Sequence, residues 1–173
     1  MAKAEQLAWV QNVFGLALTG STAPDGATAP YEDLLHTEAT PEGDFQAEWP
    51  KSFSAWRNAV ETVDQQMGAL GAACRQSEDP WLARIADLGL PAVTANFKTP
   101  LMTACLEVSA APADKVAGPA AKARAAVANF AKHIASDPQV AGCDSNPFGV
   151  SVSIRGTLGP ALKSLNDTLR LAR

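Results

Sequence analysis

Reactive and ligating side chains are scarce in this chain, with three cysteines (Cys74, Cys105, Cys143) and two histidines (His36, His133) among 173 residues. Two imidazoles exclude a metal centre built on several histidines, and the lone Asp33-x-x-His36 is half of the paired carboxylate–histidine set that a di-iron bundle requires. The thiols are too few and too far apart for a disulfide framework, and an odd count leaves at least one unpaired. A reducing cytoplasm is the expected compartment of synthesis. Aromatic residues make up only 6% of the chain, and much of the 47% apolar content is alanine, which favours helix over strand. The most apolar early stretch, 7–18, is too short to span a bilayer and is broken by Gln11 and Asn12. With Glu5 near its start and only Lys3 as a positive flank, it also lacks the form of a secretory signal.

Basic charge is missing from the first third. Residues 1–64 hold three basic side chains (Lys3, Lys51, Arg57) against ten acidic ones, a balance of −7 that the remainder offsets to −4 overall. Asp25, Glu32, Asp33, Glu38, Glu42, Asp44 and Glu48 supply most of that acidity, and a solvated acidic loop accounts for them. Nucleic acid is not an expected partner, because phosphate recognition needs a basic surface. The same acidity opposes binding to anionic lipid.

What is present is helical periodicity. Leu7, Val10, Phe14 and Leu18 recur at three-to-four spacing beside a second stripe of Trp9, Val13 and Leu16, predicting a helix over 2–18 pressed on a larger body. A loop-rich connection follows over 19–45. Phe53, Trp56, Val60, Val63, Met67, Leu70 and Cys74 then keep a strict alternation of three and four, the seam of a bundle helix over 47–76, with Pro50 in its first turn. Asp79-Pro80 opens a third segment over 80–110, kinked or divided by Pro91 and Pro100, whose stripe is Leu82, Ile85, Leu88 or Leu90, Val93, Phe97, Leu101, Ala104 and Val108. The fourth, over 113–136, carries Val116, Ala120, Ala123, Val127, Phe130 and Ile134 and ends at Asp137-Pro138. After a loop over 139–145, Asn146-Pro147 resembles a cap and first position. Val150, Val152 and Ile154 alternate like a strand, but a lone strand has no partner, so a helix over 147–172, kinked at Pro160, is predicted through Val150, Ile154, Leu158, Ala161 or Leu162, Leu165 and Leu169. Four long segments of about 25–30 residues, roughly 40 Å each at helical rise, joined by short connections, predict one all-α domain: an up-down four-helix bundle with an additional N-terminal helix.

No nucleotide-binding loop, zinc spacing or serine triad is present, so neither metal nor cofactor is expected. Cys74 and Cys105 fall on apolar faces and read as small core hydrophobes. Cys143 stands apart, in the polar stretch Gly142-Cys143-Asp144-Ser145-Asn146 ahead of the last predicted helix, where a thiol could be activated and His133 could act as base. Lys115, Lys122, Arg124 and Lys132 alternate with alanine and read as a solvated helix face.

The stretch from Cys143 through Asp144, Ser145, Asn146, Pro147, Phe148, Gly149 and Val150, continuing at Ile154, Thr157, Leu158, Gly159 and Leu162, resembles a recurrent ending of uncharacterised proteobacterial proteins. Some of those are similar to helical regions of large secreted or type VI contractile-injection effectors. The resemblance covers about a sixth of the chain and implies a bacterial helical module attached to, or acting beside, a toxin or secretion component, synthesised in the cytoplasm and exported without a cleaved signal.

These readings converge on a non-enzymatic helical protein-interaction module that binds another protein or itself. Trp9, Phe14 and Trp49 are its candidate contact residues. Two rival expectations are an effector domain acting on membranes or other targets, and a cysteine-dependent enzyme using Cys143.

Overall fold

The computed structural model describes residues 2–13, 42–77, 79–89 and 92–172, and every regular element among them is helical. α1 covers Ala2–Val13, α2 Phe45–Arg75, α3 Pro80–Gly89, α4 Ala92–Ala110, α5 Ala117–Ser136, α6 Pro138–Asp144 and α7 Ile154–Leu169. One 3-10 turn, Ala113–Lys115, precedes α5. The all-α expectation holds among the described residues. Positions 14–41, including Phe14, Asp33, His36 and the 14–18 end of the predicted first helix, lie outside them.

α2 starts where the Asp44 carboxylate accepts the amide of Gln46. This puts Pro50 in the second turn rather than the first, with its ring exposed, so the missing N–H costs one bond on the solvent side. The predicted seam is inside: Phe53, Trp56, Val63, Leu70 and Cys74 are buried, and Val60 and Met67 are half-buried beside them. The 80–110 segment is two helices, α3 and α4, divided ahead of Ala92. Pro100, by contrast, lies within α4 with its ring exposed, and the helix runs through it. Leu82, Leu101, Ala104 and Val108 of the predicted stripe are buried. Leu90 and the side chains of Ile85, Leu88 and Val93 fall outside the described set. All six predicted core positions of the fourth segment, from Val116 just ahead of α5 to Ile134 within it, are buried.

Residues 138–153 depart from expectation. The predicted loop over 139–145 is largely helix: Asp137 ends α5 and caps α6, its carboxylate accepting the Gln139 amide at 2.8 Å. The predicted helix from 147 begins instead at Ile154, and 145–153 is neither helix nor strand. The reason is local. Asn146 caps no helix. Its Nδ2 donates to the carbonyls of Cys143 and Val150, both at 2.9 Å, and its Oδ1 accepts the Phe148 amide at 3.0 Å. Gly149 then takes φ +72°, a left-handed turn that glycine enters without a side-chain clash. The Asp144 carboxylate reaches across the finished loop to accept the Ile154 amide at 2.8 Å, starting α7.

The long helices meet in register. Ser52, early in α2, bonds to Thr168 late in α7, while Gln66 farther along α2 accepts the Ser153 amide just ahead of α7. Trp49 of α2 donates to Ser109 of α4, and Asp64 pairs with Lys98. Phe97 of α4 stacks on His133 of α5. Trp56, fully buried, sits edge-on to Phe130 at 5.2 Å. One continuous core takes side chains from all these helices, α1 and α6 included.

Candidate functional site: the corner that receives the first helix

α1 reaches the rest of the protein mainly through the two short helices, α3 and α6. Trp9, Val10 and Val13 are its buried positions, while Glu5, Ala8, Gln11 and Asn12 are exposed. Its described turns are held by what Trp9 and Val13 find on α6.

That seat follows from how α6 ends. The last carbonyls of a helix have no intrahelical donor. Here Ala141 receives the Ser145 hydroxyl, Cys143 receives Asn146, and Gly142 receives the Ser145 amide at 3.2 Å. The second lone pair of the Gly142 carbonyl accepts the Trp9 indole N–H at 2.9 Å. The absence of a side chain at Gly142 lets α1 approach, since a β-carbon there would fall within 3.2 Å of Cβ and both methyls of Val13. Phe148, presented by the Asn146-braced loop, meets the Trp9 ring edge-on at 5.6 Å. The end of α6 and the loop after it thus form a corner, and this corner holds α1.

The candidate residues separate accordingly. Trp9 is engaged within the chain. Trp49, expected as a partner-facing anchor, is instead buried: it stacks between Phe45 and Phe53 at 5.8 and 5.5 Å and donates to Ser109 Oγ at 2.9 Å. A large indole at the start of a seam fills core space more favourably than it waits in water.

Cys143 is not in a polar loop. It lies in the last turn of α6 and is fully buried. Burial pushes its thiol up to about 12, and Asp144, Asp137 and Cys74 act in the same direction. Desolvation alone raises Cys105 to about 12, and burial raises Cys74 to about 11 against Arg75. A thiol in that range carries almost no thiolate at neutral pH, which is opposite to the activation a nucleophile needs. His133, the expected base, is buried between other duties: its ring stacks on Phe97 at 3.9 Å and Nδ1 lies 3.1 Å from Asp137 Oδ2.

Among the described residues no group of His, Cys, Asp or Glu could hold a metal ion, and no helix is long and apolar enough to cross a membrane. Lys115, Lys122, Arg124 and Lys132 are exposed on and just before α5, Lys122 lying 4.0 Å from Glu107. Gly142, Phe148 and Asn146 are the residues that periodicity missed. Asn146-Pro147, four residues after Gly142, was the available signal. Comparison with protein-family models, curated proteins and solved structures finds no match for the chain.

Proposed function

We propose that this chain is a non-enzymatic helical protein-interaction module. Its scaffold is read as an up-down four-helix bundle of α2, α3–α4, α5 and α7. Pairing of early α2 with late α7, and of late α4 with early α5 through Glu107 and Lys122, supports that order. The observation that carries the functional reading is the seating of Trp9 on Gly142 and Phe148: a small helix held at a prepared corner by one indole bond and a glycine-made close approach. A surface built to recognise a helix is what an interaction module needs, and the three buried thiols leave no activated nucleophile beside it. The resemblance of the 143–162 segment adds the expectation that the partner belongs to a bacterial toxin or secretion component.

The test is affinity capture with the tagged full chain from its native cell. One stoichiometric protein partner, lost on Trp9→Asp and retained on Cys143→Ser, supports the reading. Recovery that ignores Trp9→Asp, or activity abolished by Cys143→Ser, overturns it.

A further inference from the structure

Of the seven helices, α5 alone carries no acidic side chain. Its exposed arc holds Lys122, Arg124 and Lys132, and Lys115 is exposed on the turn just ahead of it. Among the described residues only one of these four cations has a carboxylate within ion-pair reach, Glu107 at 4.0 Å from Lys122. A chain of net charge −4 thus gathers its uncompensated positive charge on one helix face.

The spacing of the cations restricts what they can hold. Lys122 and Arg124 lie at opposite edges of the exposed arc, roughly 160° apart around the axis, and Lys132 stands about 15 Å farther along. They cannot converge on one small anion, so the matching ligand is elongated and carries several negative charges. The surface between them is flat: Ala121 and Ala125 are exposed, and a side chain added at Gly118 would meet nothing within 4 Å. No aromatic ring lies on this arc to stack a base, and no large apolar side chain to enter a bilayer. A helix bearing carboxylates on its flanks fits both the flat centre and the charged edges.

We propose that the exposed face of α5 binds an acidic helical segment of another protein. Its carboxylates meet Lys122, Arg124 and Lys132, and its backbone lies along the alanines. This proposal rests on the reading of the chain as an interaction module, and it adds a second surface and the chemistry of its partner.

The probe is a labelled alanine-rich peptide with glutamate at every third or fourth position, titrated onto the full chain and read by fluorescence anisotropy. Saturable binding is expected, at least tenfold weaker for a chain carrying Lys122→Glu, Arg124→Glu and Lys132→Glu. A chain with the same charge change elsewhere, Lys51→Glu, Arg57→Glu and Arg75→Glu, is expected to bind as the unaltered chain does. Two arms leave the chain as it is. The same peptide with glutamine for glutamate is expected not to bind. Raising salt from about 0.1 M to about 1 M shortens the screening length from about 10 Å to about 3 Å and is expected to abolish binding. Absence of binding, or equal loss in the two triple variants, overturns the proposal. So does tighter binding of phosphatidylserine vesicles or single-stranded DNA through the same three cations, or a salt-sensitive dimer of the chain alone. The Trp9→Asp chain is expected to bind the peptide normally. Loss of peptide binding with Trp9-dependent capture intact therefore removes this face alone, and the reverse outcome removes only the docking role of Trp9.

Discussion

The indole N–H of Trp9 donates to the carbonyl oxygen of Gly142 at 2.9 Å, across 133 positions of sequence. That oxygen is available because α6 stops two residues later, and the approach is open because Gly142 has no β-carbon. Removing the indole takes away the bond and the largest of the three buried side chains of α1. Trp9→Ala is therefore expected to unfold α1 alone: amides of residues 2–13 lose exchange protection, and those of α2, α5 and α7 keep it. Thermal melting of the main transition moves little, because the core seam of α2, α5 and α7 is untouched.

Gly142→Ala puts a methyl group into Val13. A stiff β-branched side chain has little room to yield, and overpacking of this kind costs about 1–3 kcal/mol. Val13→Ala in the same chain returns most of that loss. A double-mutant cycle on urea unfolding is expected to give a coupling of about 1 kcal/mol or more. Simple additivity would mean that the two residues do not touch.

Asn146→Ala removes three hydrogen bonds at once and leaves the carbonyls of Cys143 and Val150 without their donor. Asp144→Ala removes only the acceptor for the Ile154 amide. The expected losses are about 2–3 and about 1 kcal/mol respectively. Asn146→Asp falls with Asn146→Ala, because a carboxylate can accept from Phe148 but donates nothing to the two carbonyls.

The thiols set an alkaline limit. Cys143 and Cys105 are raised from 9.0 to about 12, and Cys74 from 9.0 to about 11, each by burial. A raised folded pKa means that above pH 9 the unfolded chain sheds thiol protons while the folded chain keeps them. Stability is thus unaffected by these groups below pH 9 and falls with rising pH between about 9 and 12. Urea midpoints across that window are expected to decline, and to decline less in a chain carrying Cys143→Ala and Cys105→Ala. Alkylation at neutral pH is expected to be slow at all three positions and to speed up together on addition of denaturant. Fast, selective labelling of Cys143 would contradict this.

The strict three-four spacing of α2 and the alanine-spaced stripe of α5 were legible in the sequence, because a long helix with one buried face repeats its signal over several turns. Residues 138–153 were not. A seven-residue α6 is too short to show a period, and its ends are set by side-chain bonds from Asp137, Asp144 and Asn146 that composition does not display. The burial of Trp49 is hidden from the sequence for a related reason. An indole before a seam is consistent with burial or exposure, and its partner Ser109 lies 60 positions away. The apolar stripes of the first helix present Trp9 as a contact residue, but the surface it contacts depends on Gly142, whose contribution is the absence of a side chain.

The most direct test of this account is amide hydrogen exchange on the full chain with and without Gly142→Val. The account predicts that protection over residues 2–13 falls to that of a free peptide while α2, α4, α5 and α7 keep theirs. Unchanged protection of α1 in the folded Gly142→Val chain would show that the helix is held by something other than this corner.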